Sequence, residues 1–382
     1  MDAAATWKRF TAVGRNAAFG ASLLAVTQTA FAQTVTPPSL TGAEIFAAAC
    51  ASCHGSDGRG AATEAVAFTN PLPDFTDCEF APREPDTTWV PIIHGGGPAR
   101  AFNQMMPAFG DAFTLEQIRA VLGHVRTLCT NPSWPRGDLN FPKALVTEKA
   151  FPEDEMLFTT TAALEGPGAV STRVVYERRF GARTQMEFGV PVRVEARPDA
   201  EGNARRWVRG VGDIAVAVKR VLVHSLPRGQ ILSATAEVVV PTGSESKGLG
   251  GGTGVVEPFL TYGQLLPGDW FVQAQSGIGI PLKSGAPKDA QWRAVFGKSF
   301  WPQRFGRMWS PMIEVLAGRE LVRGERTLWD VLPEIQVTLS TRQHIRANVG
   351  VRLPINDAAT RSTQVISYLL WDWYDGPFFG GW

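Results

Sequence analysis

The residues with the most specific chemistry are Cys50-Ala51-Ser52-Cys53-His54. Two thiols three positions apart, followed at once by an imidazole, admit three uses. They could form a redox pair, supply part of a zinc site, or bond to the two vinyl groups of a porphyrin while the imidazole takes its iron. Only the third use needs the whole order, with the imidazole directly after the second thiol. Gly55-Ser56-Asp57-Gly58-Arg59-Gly60 follows, a Gly-rich stretch after a helix end. Covalent attachment of one haem c, with its iron, is therefore the expected chemistry.

Short helices must position this group. Thr41-Gly42-Ala43-Glu44 is a capping box, and the helix it starts runs through Ile45, Phe46 and Ala49 into the Cys pair. A second helix covers residues 114–128. Leu115, Ile118, Leu122 and Val125 recur at helical spacing, and Thr114 with Gln117 forms its capping box. Asn131-Pro132-Ser133-Trp134-Pro135 then breaks the pattern and opens a linker.

With these features together, residues 39–129 resemble a class I cytochrome c. The resemblance rests on Cys50-Ala51-Ser52-Cys53-His54-Gly55, on Met106-Pro107-Ala108-Phe109 and on the closing helix from Thr114. It implies a small all-α domain with His54 as proximal iron ligand and Met106 as the sixth. A thioether opposite an imidazole stabilises ferrous iron and raises the potential. Met105 competes by adjacency, but Met106 precedes Pro107 as in the family. His94, in Ile93-His94-Gly95-Gly96-Gly97, is the other contender and would lower the potential. Its plainer reading is a loop residue. No catalytic group is implied, so an electron carrier is expected rather than an enzyme with its own acid or base.

Cys78 and Cys129 complete the cysteines. An oxidising compartment would favour a disulfide between them, and two buried thiols are the alternative. His94-Gly95-Gly96-Gly97 resembles a lipase oxyanion loop, but no Gly-x-Ser-x-Gly accompanies it. Residues 248–254 are Gly-rich without dinucleotide or P-loop spacing. His224 and His344 lie inside strand patterns and read as lumen or surface residues.

After residue 153 the period changes to two. In residues 344–355, Ile345, Ala347, Val349, Val351, Leu353 and Ile355 alternate with His344, Arg346, Asn348 and Arg352. Residues 185–197 and 270–282 repeat the form, which is that of strands with one apolar and one polar face. Segments start near residues 155, 171, 184, 210, 230, 253, 270, 291, 309, 326, 344 and 363. Most exceed the ~5–6 residues of soluble strands and suit tilted membrane strands. Short connections, such as Pro267-Gly268-Asp269, alternate with long polar ones, such as residues 242–252. That alternation fits periplasmic turns and outer loops. The connection at residues 302–308 does not fit, being too long for a turn. The 12 Trp and 22 Phe suit aromatic girdles, though a soluble core would use them too. Residues 210–283 resemble the phenol-degradation-type outer-membrane transporter family, through Val211-Gly212-Asp213, Val239-Val240-Pro241-Thr242-Gly243 and Gly277-Ile278-Gly279-Ile280-Pro281.

Residues 1–32 read as an export signal, with Lys8, Arg9 and Arg15 before a short apolar run and Ala30-Phe31-Ala32 as cleavage pattern. The formal net charge of +1 gives no reason to expect nucleic acid. The expected organisation is a signal peptide (1–32), a cytochrome c domain (36–131), a linker (132–152) and an all-β antiparallel transmembrane barrel of about twelve strands (153–382). An even strand number returns both barrel ends to the periplasm, where the haem domain would hang from its linker. Three functions follow. The barrel could anchor a periplasmic electron carrier or pass a small-molecule solute, with a periplasmic redox protein as partner. The chain could conduct electrons across the outer membrane, resembling cytochrome–porin fusions. It could also be a soluble periplasmic haem enzyme with a β-sandwich substrate domain.

Overall fold

The computed structural model describes residues 40–62, 72–165, 168–198 and 205–372. The expected export signal and the chain end after residue 372 lie outside them. Four helices come first: α1 (Gly42–Ile45), α2 (Ala51–His54), α3 (Asp86–Gly95) and α4 (Leu115–Leu128). Thirteen strands follow: β1 (Glu155–Ala163), β2 (Ala169–Phe180), β3 (Thr184–Pro198), β4 (Arg205–Val211), β5 (Ile214–Ser225), β6 (Gln230–Val240), β7 (Val255–Leu266), β8 (Trp270–Pro281), β9 (Asp289–Lys298), β10 (Trp309–Glu320), β11 (Leu328–Thr338), β12 (Ile345–Pro354) and β13 (Gln364–Asp372).

All neighbours pair antiparallel, and β1 pairs with both β2 and β13, so the sheet closes. Closure rules out the β-sandwich expected under the third function. The barrel has twelve strands, because β4 and β5 are two halves of one. Both lie against β3, β4 along residues 192–198 and β5 along 184–189. The break falls opposite Pro191, which has no N–H for the ladder; its carbonyl still accepts from Gly212 N at 2.8 Å. Asp213 beside the break bonds Gly243 N at 2.9 Å and Gly251 N at 2.7 Å, tying down the long loop between β6 and β7.

The apolar strand face points outward. Phe188, Val192, Leu222, Trp292, Ile313, Val349 and Leu369 are exposed, while Gln185, Glu187, Lys219, Gln275, Glu314, Glu334 and Asn348 are buried inside. Water would penalise this inside-out arrangement; hydrocarbon favours it. Closure also leaves no unpaired sheet edge, as a bilayer requires. The barrel is therefore a membrane-spanning one.

Its lumen is not empty. The segment expected as a free spacer dips into the barrel and returns to start β1. Glu314, in mid-β10, accepts from Val146 N at 2.9 Å, Thr147 N at 2.8 Å and Thr147 Oγ1 at 2.6 Å. Glu334 on β11 accepts from Leu145 N at 3.0 Å, and Gln275 on β8 from Glu148 N at 2.9 Å. Arg293 donates to Val146 O at 2.8 Å and Tyr368 to Lys143 O at 2.6 Å. Apolar side chains of the segment lodge in the wall as well. Phe141 stacks on Phe271 at 5.6 Å, and with Phe151 joins Val221, Ile231, Val295 and Met312 in one cluster. Glycines hollow the wall for them: a Cβ at Gly263 would lie 2.6 Å from the Phe141 ring, and one at Gly350 2.7 Å from Leu145. Burying each such Phe or Leu contributes about 1.5–3 kcal/mol.

A twelve-strand barrel has a backbone diameter of ~24 Å, and side chains take about half of it. A returning loop therefore fills most of the bore. In planar bilayers the intact protein should show little steady conductance. Glu314→Ala with Glu334→Ala removes four of the loop's anchors, and conductance should rise. A wild-type protein conducting like an open porin would contradict this packing.

Candidate functional site

The haem-motif residues sit where one helical run ends. Thr41 caps it: Glu44 N donates to Thr41 Oγ1 at 3.3 Å, and Thr41 N to Glu44 Oε2 at 2.7 Å. Between α1 and α2 the chain makes a π-turn, Phe46–Cys50. Such single turns insert a residue and recur at functional sites. Here the turn delivers Cys50 to the start of α2, and Cys53 and His54 close that helix. A Cβ at Gly42 would overlap Ala120 O, so only glycine allows α1 this close an approach to α4. Ile45 and Phe46 pack with Ile118, Val121, Leu122 and Val125 behind the site.

After His54 the chain reverses through Gly55, at φ +74°. Gly60 N then donates to His54 O at 2.8 Å, and Ala61 N to Cys53 O at 2.7 Å. The His54 ring stacks on Phe75 at 4.9 Å. Its Nδ1 is buried with no hydrogen-bond partner, and burial pushes the imidazole pKa down, toward the neutral form that binds metal. Cys50 and Cys53 are free thiols, whereas Cys78 and Cys129 form a disulfide with Cα atoms 5.1 Å apart. Burial, and then the neighbouring Cys53, pushes the Cys50 thiol up. Among the described residues, no three or more His, Cys, Asp or Glu side chains converge as a zinc cage would. Two free thiols and an imidazole with a buried, unpartnered Nδ1 at one helix end fit a porphyrin.

Met106 lies on the loop between α3 and α4. It is half-buried, whereas Met105 is 51% exposed. The loop is paired to the end of α3: Gly97 N donates to Met106 O at 3.0 Å, Phe109 N to Ile93 O at 3.0 Å and Gly110 N to His94 O at 2.9 Å. His94 is half-buried. Its ring fills the space over Gly110, where any Cβ would overlap it, and meets Phe305 at 4.8 Å.

Phe305 belongs to the barrel, in the connection at residues 302–308 that is too long for a turn. It reaches up and joins the core of the helical domain. Arg100 donates to Phe305 O at 3.0 Å, and Arg342 to Ala101 O at 3.2 Å while lying 4.2 Å over the Phe102 ring. His344 at the barrel mouth stands between Glu84 at 3.3 Å and Asp372 at 3.2 Å. Arg83 pairs with Asp154 at the end of the linker. The helical domain is thus clamped to the barrel. Sequence patterns do not reveal these contacts; the overlong connection is the one trace of them.

Residues 38–125 match the family model of cytochrome C oxidase, cbb3-type, subunit III. Among solved structures, an outer membrane channel from Pseudomonas putida F1 is similar at 12% identity, covering 61% of this chain and 99% of that one, with a TM-score of 0.40. The KdgM porin is similar at 8% identity over 57% of this chain and 99% of its own, TM-score 0.39, and the NanC porin at 8% over 57% and 98%, TM-score 0.40. The chain carries a cytochrome c domain, which implies haem c and its iron, ahead of a twelve-strand outer-membrane β-barrel. Haem-based electron transfer is accordingly its class of activity.

A buried cation ties the helical domain together beside its contact with the barrel. Arg126 of α4 bonds Asp86 Oδ1 at 3.1 Å, Glu84 O at 2.9 Å and Ala81 O, and lies 4.1 Å over Trp89. Arg126→Ala should destabilise this domain by about 1–3 kcal/mol, since it leaves two buried carbonyls without a donor, while Asp86 keeps Arg136 at 2.8 Å. Chemical denaturation followed by tryptophan fluorescence checks it; an unchanged midpoint would refute the assignment.

Proposed function

We propose that this chain is a monohaem electron carrier fixed at the periplasmic mouth of an outer-membrane barrel that anchors it. The observation that carries this is the pair of free thiols beside a half-buried imidazole whose Nδ1 is buried and unpartnered, on a domain clamped to a barrel whose lumen holds the chain's own loop. Cys50 and Cys53 would attach the porphyrin through thioethers, and His54 would hold the iron on one side. Met106 would supply the second iron ligand; its half-buried position and its pairing to Gly97 favour it over exposed Met105. When bound, the haem supplies one-electron exchange. The chain fixes its ligands, keeps water away with Ile45, Phe46 and Phe75, and sets its position against the membrane.

The filled lumen favours the anchor over passage of a solute. It also disfavours a conduit, because a single haem below the membrane needs a further cofactor to carry electrons through it. The partner is then a periplasmic redox protein. Fractionation tests the reading: haem-staining protein should leave the outer membrane only with detergent, and should exchange electrons with a periplasmic donor but not directly with an extracellular acceptor. Reduction of an extracellular acceptor by the isolated protein in sealed vesicles would favour the conduit instead.

Two substitutions test the ligands. Cys50→Ser with Cys53→Ser should abolish haem that survives acid extraction, and full retention would contradict the attachment. Met106→Ala should remove the sulfur-to-iron charge-transfer band and lower the potential while covalent haem stays. The same loss in Met105→Ala, with Met106→Ala unaffected, would reassign the ligand.

A further inference from the structure

His94 and Met106 are carried on the two sides of one short backbone pairing. The bonds from Gly97 N to Met106 O and from Gly110 N to His94 O, at 3.0 and 2.9 Å, bracket it. Both residues are chemically able to bind iron, and imidazole binds ferric iron at least as well as a thioether does. What separates them is packing. His94 is pressed between Gly110 and the ring of Phe305, whereas Met106 is held through its backbone carbonyl by Gly97.

We infer that Phe305, a barrel residue, selects the axial ligand of the haem by holding His94 out of the contest. This rests on the reading of Met106 as ligand and adds the means by which the barrel enforces it.

Three observations converge on the residue. Phe305 has φ +62°, a left-handed conformation that a bulky side chain adopts only under strain. Its neighbours hold it there: Arg100, 3% exposed, donates to its carbonyl at 3.0 Å. Ala101 and Gln343, on the two sides of the same contact, also have positive φ, at +56° and +69°. Backbone strain is thus collected where the barrel meets the ligand loop. A contact serving attachment alone could be made by the ion pairs at the mouth, without a strained aromatic placed on an imidazole.

Removing the Phe305 ring leaves His94 with open space on one side. The His94 imidazole would then be able to take the place of the Met106 thioether, one iron ligand replacing another with no change of oxidation state.

The test uses the full-length haem protein in detergent, with the oxidised absorption spectrum and the midpoint potential as readouts. Phe305→Ala should weaken or remove the sulfur-to-iron band and lower the potential. Adding His94→Ala to Phe305→Ala should bring both back, which general loosening of the domain would not do. Phe305→Leu, which refills the space, should stay near wild type. A wild-type band and potential in Phe305→Ala, or no recovery in the double variant, would overturn the proposal while leaving Met106 as ligand. A band that survives Met106→Ala would overturn the ligand assignment, and the proposal with it.

Discussion

The register that pairs Glu155 with Asp372 decides most of this architecture. It joins the first strand to the last and so closes the barrel, which lets every strand meet the bilayer with its backbone bonded. It also puts both chain ends of the barrel at the same rim. Asp372 there receives Arg346 at 2.9 Å and one nitrogen of His344 at 3.2 Å. The other His344 nitrogen meets Glu84 of the helical domain. Glu155 receives Lys149 of the lumenal segment at 3.1 Å, and Lys149 also takes Glu153 at 2.5 Å. Buried charges of this kind rarely add net stability, because desolvation offsets the attraction. They do penalise any register that separates them. Closing the barrel, docking the domain and seating the loop are one set of contacts.

The strands were legible because a membrane wall imposes its pattern locally. Each residue faces either lipid or lumen, and the alternation needs no knowledge of partners. All twelve expected segments begin within a few residues of an observed strand, except where the fourth is cut in two. There Pro191 sits on the neighbouring strand, so the cause lies one strand away from the effect. The haem motif was legible for a similar reason, since its chemistry is packed into five consecutive residues. Cys78 and Cys129 could be named but not joined from sequence, because nothing local fixes the 5.1 Å between their Cα atoms.

The linker shows the opposite case. Residues 131–154 carry Pro, Lys and Glu at a density that suits a solvated spacer. Phe141, Leu145, Val146 and Phe151 were the contrary signal, too apolar for a segment in water. Their sites are built elsewhere, by glycines of β7 and β12 and by carboxylates of β10 and β11. Inward-facing polar residues suit a wet lumen and a peptide-filled lumen equally well. No one-dimensional pattern separates the two.

A filled lumen changes what the haem domain can do. Twenty flexible residues would let it wander through about 25 Å, enough to meet partners across the periplasm. Anchored along most of that length, the domain keeps one position and one orientation. Diffusional search is then left to the partner. In exchange, the barrel touches the domain beside the Met106 loop, with Phe305 on the His94 ring and Arg342 on Ala101 and Phe102. A carrier held in this way gives up reach and gains a fixed ligand environment. That exchange suits a site where electrons are handed over repeatedly at one place on the membrane.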